Sequence, residues 1–269
     1  MLYFYKLISR EIKMSKTLLI LLTNIALMMT LNATEIILDK TKLQEIKTKN
    51  RVLQDPNLHM TGAIEKPDSY ILKLEARTPQ GSQLVAAFLD KKTSELYIGS
   101  AYDKNGQPIA FPKDVKVIKE SVAFSYGNKN GKDLYIVTDP ECPYCSKFEK
   151  AAKGKLDDYR VHVILMPLSF HKKAPAMIEW IIQGKNDVER KERFEELMLH
   201  GSTAYQALIK DAKKPFVYSE SVGQTMKKVD RAVMELGVRG TPAIYDENFT
   251  LVSQQQLFTH INKKSQGAK

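Results

Sequence analysis

Leu134-Tyr135-Ile136-Val137-Thr138-Asp139-Pro140-Glu141-Cys142-Pro143-Tyr144-Cys145-Ser146-Lys147-Phe148-Glu149-Lys150-Ala151-Ala152 is the stretch that decides the fold. Its first five residues form an apolar, β-rich run suited to a buried strand, and the residues after Cys145 carry helical spacing. The two cysteines therefore sit at a strand-to-helix turn. Downstream, Arg160-Val161-His162-Val163-Ile164-Leu165-Met166-Pro167 reads as a second strand, and strand, helix, strand implies a parallel pair.

A cysteine at the start of a helix meets unpaired backbone N–H groups and the positive end of the helix dipole, which favour thiolate over thiol. Cys142 thus reads as the nucleophile. Cys145, one turn further in, can attack a mixed disulfide on Cys142 and so reads as the resolving thiol. Pro143 suits the first helical turn because it has no N–H to satisfy, and Tyr144 offers an aromatic face beside the nucleophile.

Cys142 and Cys145 are the only cysteines, so they make a redox pair, an inert disulfide or half of a metal site, not a disulfide framework. A zinc site needs two more ligands from His59, His162, His171, His200 or His260, and no pair of these has ligand spacing. Haem attachment needs His directly after the second cysteine, where the chain has Ser146. A static disulfide closes too small a loop to bring much entropic benefit. A redox-active Cys142–Cys145 pair with no metal and no cofactor is the expectation.

Outward from the motif, the 269-residue chain is long enough for two ordinary domains, with 43% hydrophobic and 27% charged residues. This composition excludes a disordered, collagen-like or multi-spanning membrane protein. The net charge of +10 is spread without a basic block of five or more, so no nucleic-acid partner is expected. Lys6, Arg10, Lys13 and Lys16 precede an apolar run over 18–31 and a small-residue site at Leu31-Asn32-Ala33, which reads as a signal peptide over 1–33. Met14 is an alternative start. The apolar run is shorter than the ~20 residues of a spanning helix. Export makes an oxidising compartment, the periplasm, the expected location, where disulfides persist.

Residues 34–112 read as a small α+β domain. A helix over 34–50 precedes strands at Tyr70-Ile71-Leu72-Lys73-Leu74, Leu84-Val85-Ala86-Ala87-Phe88-Leu89 and Leu96-Tyr97-Ile98-Gly99, then a tight turn at Asn105-Gly106. A helical linker is expected over 113–130, with the boundary at Gly127-Asn128-Lys129-Asn130-Gly131. Residues 131–269 make the second domain. They include a largely helical stretch over about 170–230, a closing hairpin at Thr241-Pro242-Ala243-Ile244-Tyr245 and Thr250-Leu251-Val252, and a last helix over 257–263. Trp180 and Met177 read as packing residues, His171 as a surface-loop histidine, and Asp139 and Glu141 receive no catalytic role.

Thr138-Asp139-Pro140-Glu141-Cys142-Pro143-Tyr144-Cys145, followed by Gly237-Val238-Arg239-Gly240-Thr241-Pro242-Ala243, resembles the DsbC/DsbG family of periplasmic thiol-disulfide isomerases. Tyr97-Ile98-Gly99-Ser100-Ala101-Tyr102-Asp103 resembles that family's dimerisation strands. The resemblance implies a thioredoxin fold with a helical insertion, a cystatin-like N-terminal dimerisation domain, and a V-shaped homodimer. It also implies that Pro242 is a cis-proline and that Thr241 offers backbone groups to substrate, alongside Pro143 and Tyr144. Pro-Tyr between the cysteines matches the DsbG-like branch, whereas Ser253-Gln254-Gln255-Gln256 departs from the Gly-containing ending of the family.

The implied activity is isomerisation or reduction of disulfides in exported client proteins, with a membrane thiol reductant as partner. Two rivals share the same sequence: a dithiol oxidase served by a membrane oxidase, and a dimeric chaperone in which the cysteines matter little.

Overall fold

A computed structural model describes residues 37–78, 81–211 and 213–267, with side chains as far as 262. The signal-peptide segment over 1–33 lies outside the described residues. No described helix is long and apolar enough to cross a membrane.

The N-terminal part lays one helix on a four-stranded antiparallel meander. Asp39 caps helix α1 (Lys40–Thr48) by accepting the Lys42 N–H at 2.9 Å. This shortens the helix expected over 34–50, because Ile37 instead bridges to Ile64 in the sheet. Strands β1 (Leu58–Glu65), β2 (Ser69–Thr78), β3 (Gly81–Asp90) and β4 (Leu96–Ile98) pair in sequence order. β1 escaped the sequence reading: Gly62 interrupts its pattern, and a register shift falls between Met60 and Gly62. Ile46 and Leu53 close over Ala63, Tyr70, Leu72, Leu74, Ala87 and Leu89, giving this part its own core.

The short pair β5 (Ala101–Tyr102) and β6 (Pro108–Ile109) flanks the Asn105-Gly106 turn, where Gly106 adopts φ +75° and Asp103 accepts the Asn105 and Gln107 N–H groups.

Helix α2 (Val115–Glu120) is the connector, capped by Asp114, which accepts the Val117 N–H. The expectation of a helical linker to residue 130 needs correction. Strand β7 (Phe124–Gly127) already belongs to the second sheet, paired antiparallel with β9 (Tyr159–Leu165). Its hold is long-range: the Ser125 hydroxyl bonds His162 Nδ1 at 2.8 Å, His162 Nε2 lies 3.0 Å from Asp133, and Arg190 donates to the Ala123 carbonyl. Four residues followed by a polar break carry too little pattern to reveal a strand whose partners lie over 30 residues away.

The second sheet runs β11-β10-β8-β9-β7, with β8 (Lys132–Thr138) and β9 parallel and the other pairs antiparallel. Helix α3 (Pro143–Ala152) makes the crossover between β8 and β9. The helical stretch resolves into α4 (Ala174–Ile182), α5 (Asp187–His200) and α6 (Glu220–Leu236). α6 runs beyond the expected end near 230 and stops at Gly237, a left-handed cap. β10 (Ala243–Tyr245) and β11 (Leu251–Val252) make the closing hairpin, and α7 (Gln254–Gly267) is longer than the expected 257–263.

Glu235 on α6 ties the two parts together, accepting Lys73 Nζ from β2 and the Asp114 N–H at the start of α2. Both partners of the Lys73–Glu235 pair keep only 13% side-chain exposure, so solvent screens it weakly.

Candidate active site

Cys142 is the N-cap of α3, and Pro143 takes the first helical position, where a missing N–H costs nothing. Its sulfur lies 3.7 Å from the carbonyl oxygen of Thr241, in hydrogen-bond contact. The Thr241–Pro242 peptide bond is cis. Residues 99 apart in sequence thus meet because β10 pairs with β8 and delivers its leading loop to the end of the strand from which the cysteine turn emerges. Both thiols are free. Pro143 and Tyr144 face outward, Tyr144 at 72% exposure, while Thr241 and Pro242 are half-buried.

Cys145 is completely buried beneath this turn and accepts the Asp139 N–H at 3.5 Å. Burial pushes its thiol up to about 11; the Asp139 N–H and the Thr138 and Thr241 hydroxyls act in the opposite direction, and the neighbouring Cys142 adds to the rise. The two sulfurs are therefore unequal. Cys142, at the helix end beside the Thr241 carbonyl, can start an exchange, and Cys145 is held in reserve as a protonated thiol.

Several supports of the turn were not singled out from sequence. Asp139 is fully buried. Its Oδ1 accepts the Glu141 N–H at 2.8 Å, and its Oδ2 accepts the Leu168 N–H at 2.6 Å and lies 2.9 Å from His171 Nδ1. His171, expected as a surface histidine, is instead a mostly buried partner of this carboxylate, with 15% side-chain exposure. Glu141, directly before Cys142, accepts the Lys173 and Ala174 N–H groups and so caps α4 across the loop. Ser146 donates to the Met198 carbonyl of α5. The active turn is thus sewn to the helical insertion by Glu141 and Ser146. The only local signal for any of this was a pair of acidic residues just before a cysteine.

Further along α3, Glu149 is buried, and burial with Glu195 nearby pushes its carboxyl up to about 7, against a pull from Lys191. Trp180 packs as expected, with the Arg193 guanidinium 5.3 Å from its ring centre.

A dithiol at a strand-to-helix turn, faced by a cis-proline loop on a mixed sheet, defines a thioredoxin-fold thiol-disulfide oxidoreductase. Comparison with known families agrees: the Thioredoxin-like domain family matches residues 123–248, a span that takes in β7. Residues 123–248 thus form a thioredoxin-like domain that carries the dithiol.

Among solved structures, ScsC from Proteus mirabilis in a transitional conformation is 20% identical with a TM-score of 0.43, covering 56% of this chain and 75% of its own. A periplasmic thioredoxin-like protein from Salmonella enterica serovar Typhimurium is 20% identical with a TM-score of 0.40, covering 54% and 90%. DsbG of Helicobacter pylori is 16% identical with a TM-score of 0.34, covering 72% and 97%. The search of curated proteins finds no significant match.

Proposed function

We propose that the protein is a periplasmic thiol-disulfide isomerase or reductase acting on wrongly formed disulfides or oxidised cysteines of exported proteins. The observation that carries this reading is the Cys142 sulfur at the N-terminus of α3, in contact with the Thr241 carbonyl beside a cis-proline. In the proposed cycle, Cys142 thiolate attacks one sulfur of a client disulfide and the other client sulfur leaves as a thiolate. A client thiol then displaces Cys142, which completes isomerisation. Alternatively Cys145 displaces the client, leaving a Cys142–Cys145 disulfide for a membrane thiol reductant to reopen. Thr241, Pro242, Pro143 and Tyr144 would line the client, an extended peptide running along the backbone of the Thr241 loop.

Export rests on the basic-then-apolar segment over 1–33. Homodimerisation through the cystatin-like N-terminal domain is supported by β4, a three-residue edge strand whose Tyr97 and Ile98 are 59% and 53% exposed, with Tyr102 at 65% just beyond.

The test is recovery of activity from a scrambled-disulfide substrate by catalytic amounts of the reduced protein without oxidant, with Cys142→Ala as control. Recovery that disappears in the control is expected. No recovery, with oxidation of a fully reduced substrate by the disulfide form, would replace the isomerase by an oxidase. Client protection from aggregation that survives loss of both cysteines, with nothing else lost in cells, would leave a chaperone.

A further inference from the structure

Thr138, the last residue of β8, is completely buried, and its hydroxyl has no hydrogen-bond partner among the described residues; the buried Thr241 hydroxyl is in the same condition. Nearly all buried hydroxyls are paired, because an unpaired one loses its water contacts without replacement. Both hydroxyls lie near enough to the Cys145 sulfur to favour its thiolate, yet neither reaches hydrogen-bond geometry with it in this dithiol structure, where the Asp139 N–H is the donor in place. A neutral thiol is a weak acceptor, whereas a thiolate is a strong one.

We propose that Thr138 is a positioning residue for the resolving step, its hydroxyl waiting without a partner in the dithiol state and donating to Cys145 Sγ as that sulfur becomes a thiolate. The proposal rests on the thiol-disulfide exchange reading above.

In that step Cys145 gives up its proton to solvent or to a departing client thiolate, and its sulfur attacks the Cys142 sulfur. The Cys142–Cys145 bond forms, the Cys142–client S–S bond breaks, and the electron pair leaves on the client sulfur, which takes up a proton. The oxidant is the client disulfide itself. The Asp139 N–H already points at Cys145 Sγ, and Thr138 adds a second donor from the strand side. Among the described residues, Cys142 is the titratable group that acts on Cys145 by charge, and the Asp139 carboxylate in the preceding loop is committed to Glu141, Leu168 and His171. A neutral donor is then the means left for lowering the cost of the buried thiolate.

The experiment is a single turnover with a disulfide-bonded peptide, following the lifetime of the Cys142–peptide mixed disulfide by acid quench and mass spectrometry across pH in native, Thr138→Val and Thr138→Ser proteins. Val keeps the shape of Thr and removes the hydroxyl. The mixed disulfide of Thr138→Val should persist about tenfold longer at neutral pH, with its pH profile displaced upward by about one unit, and Thr138→Ser should restore both.

Thermal unfolding separates this from a structural role: with no bond to lose in the resting state, Thr138→Val should be at least as stable as the native protein. A lifetime within twofold of native at every pH, failure of Ser to restore it, or a clear loss of stability in Thr138→Val would overturn the proposal. Failure of the native protein to form any mixed disulfide at Cys142 would instead overturn the exchange reading on which it rests.

Discussion

Asp139→Asn tests how the active turn is held. The native carboxylate is fully buried and accepts on both oxygens, one from Glu141 and the other from Leu168 and His171. An amide has a single acceptor oxygen. Placed at the Leu168–His171 side, it retains two bonds and turns its NH2 group toward the Glu141 N–H, donor against donor; reversed, it loses both others. The better orientation leaves one peptide N–H unpaired, costing about 1–3 kcal/mol, and turns two charge-assisted bonds into neutral ones, costing roughly another 1 kcal/mol in total.

Urea unfolding should therefore show Asp139→Asn destabilised by about 2–4 kcal/mol at an unchanged slope. The Glu141 N–H opens into the same loop that presents Cys142, so alkylation of Cys142 and disulfide exchange should change together with stability. A variant within about 0.5 kcal/mol of native, inside the spread of ordinary surface substitutions, would refute the assignment of Asp139 as the anchor of the turn.

Other expectations concern separate regions. Glu149, pushed up to about 7 from the ordinary 4.5, is uncharged in both folded and unfolded chains below 4.5 and resists ionisation in the fold above it, so its penalty grows from pH 4.5 to 7 and stays full beyond. Glu149→Gln should accordingly raise stability by at most about 3 kcal/mol at pH 8 and change little at pH 4.5, which calorimetry at the two pH values checks. Gly127 holds φ +87°, and a Cβ there would meet the Tyr159 carbonyl oxygen at 2.3 Å, so Gly127→Ala should cost about 3 kcal/mol or more in denaturant unfolding. Glu235→Ala removes the shared partner of Lys73 and the Asp114 N–H and should cost about 2 kcal/mol, with faster amide exchange in α2 as its local signature. Iodoacetamide at neutral pH should label Cys142 and spare Cys145, whose thiol is held near 11; equal labelling in the folded protein would contradict that order.

Residues 134–152 announced a strand, a turn and a helix because each part carries its own period, and that local information suffices to place two cysteines at a helix start. The meander of β2 to β4 and the Asn105-Gly106 turn were legible for the same reason: every partner lies a few residues away or in the next strand. β1 was not, since its glycine breaks alternation. β7 was hidden because its evidence is a histidine 37 residues downstream. The meeting of Cys142 with the Thr241 carbonyl was suggested by family likeness alone.

What the sequence by itself determined is therefore the chemistry: a lone dithiol separated by Pro-Tyr, at the end of a buried strand and the beginning of a helix. Only the tertiary structure decided how that chemistry is controlled. It set Cys145 in a dry pocket, turned Asp139 into a buried anchor for His171 and the 168 loop, and made Glu141 the cap of a helix more than 30 residues away. It also left the Thr138 hydroxyl near the Cys145 sulfur with no partner in hydrogen-bond geometry among the described residues. Burial and hydrogen-bond partnership belong to the packed assembly of β8, β9, α3 and α4, and a linear pattern records which residues are available for them, not which will meet.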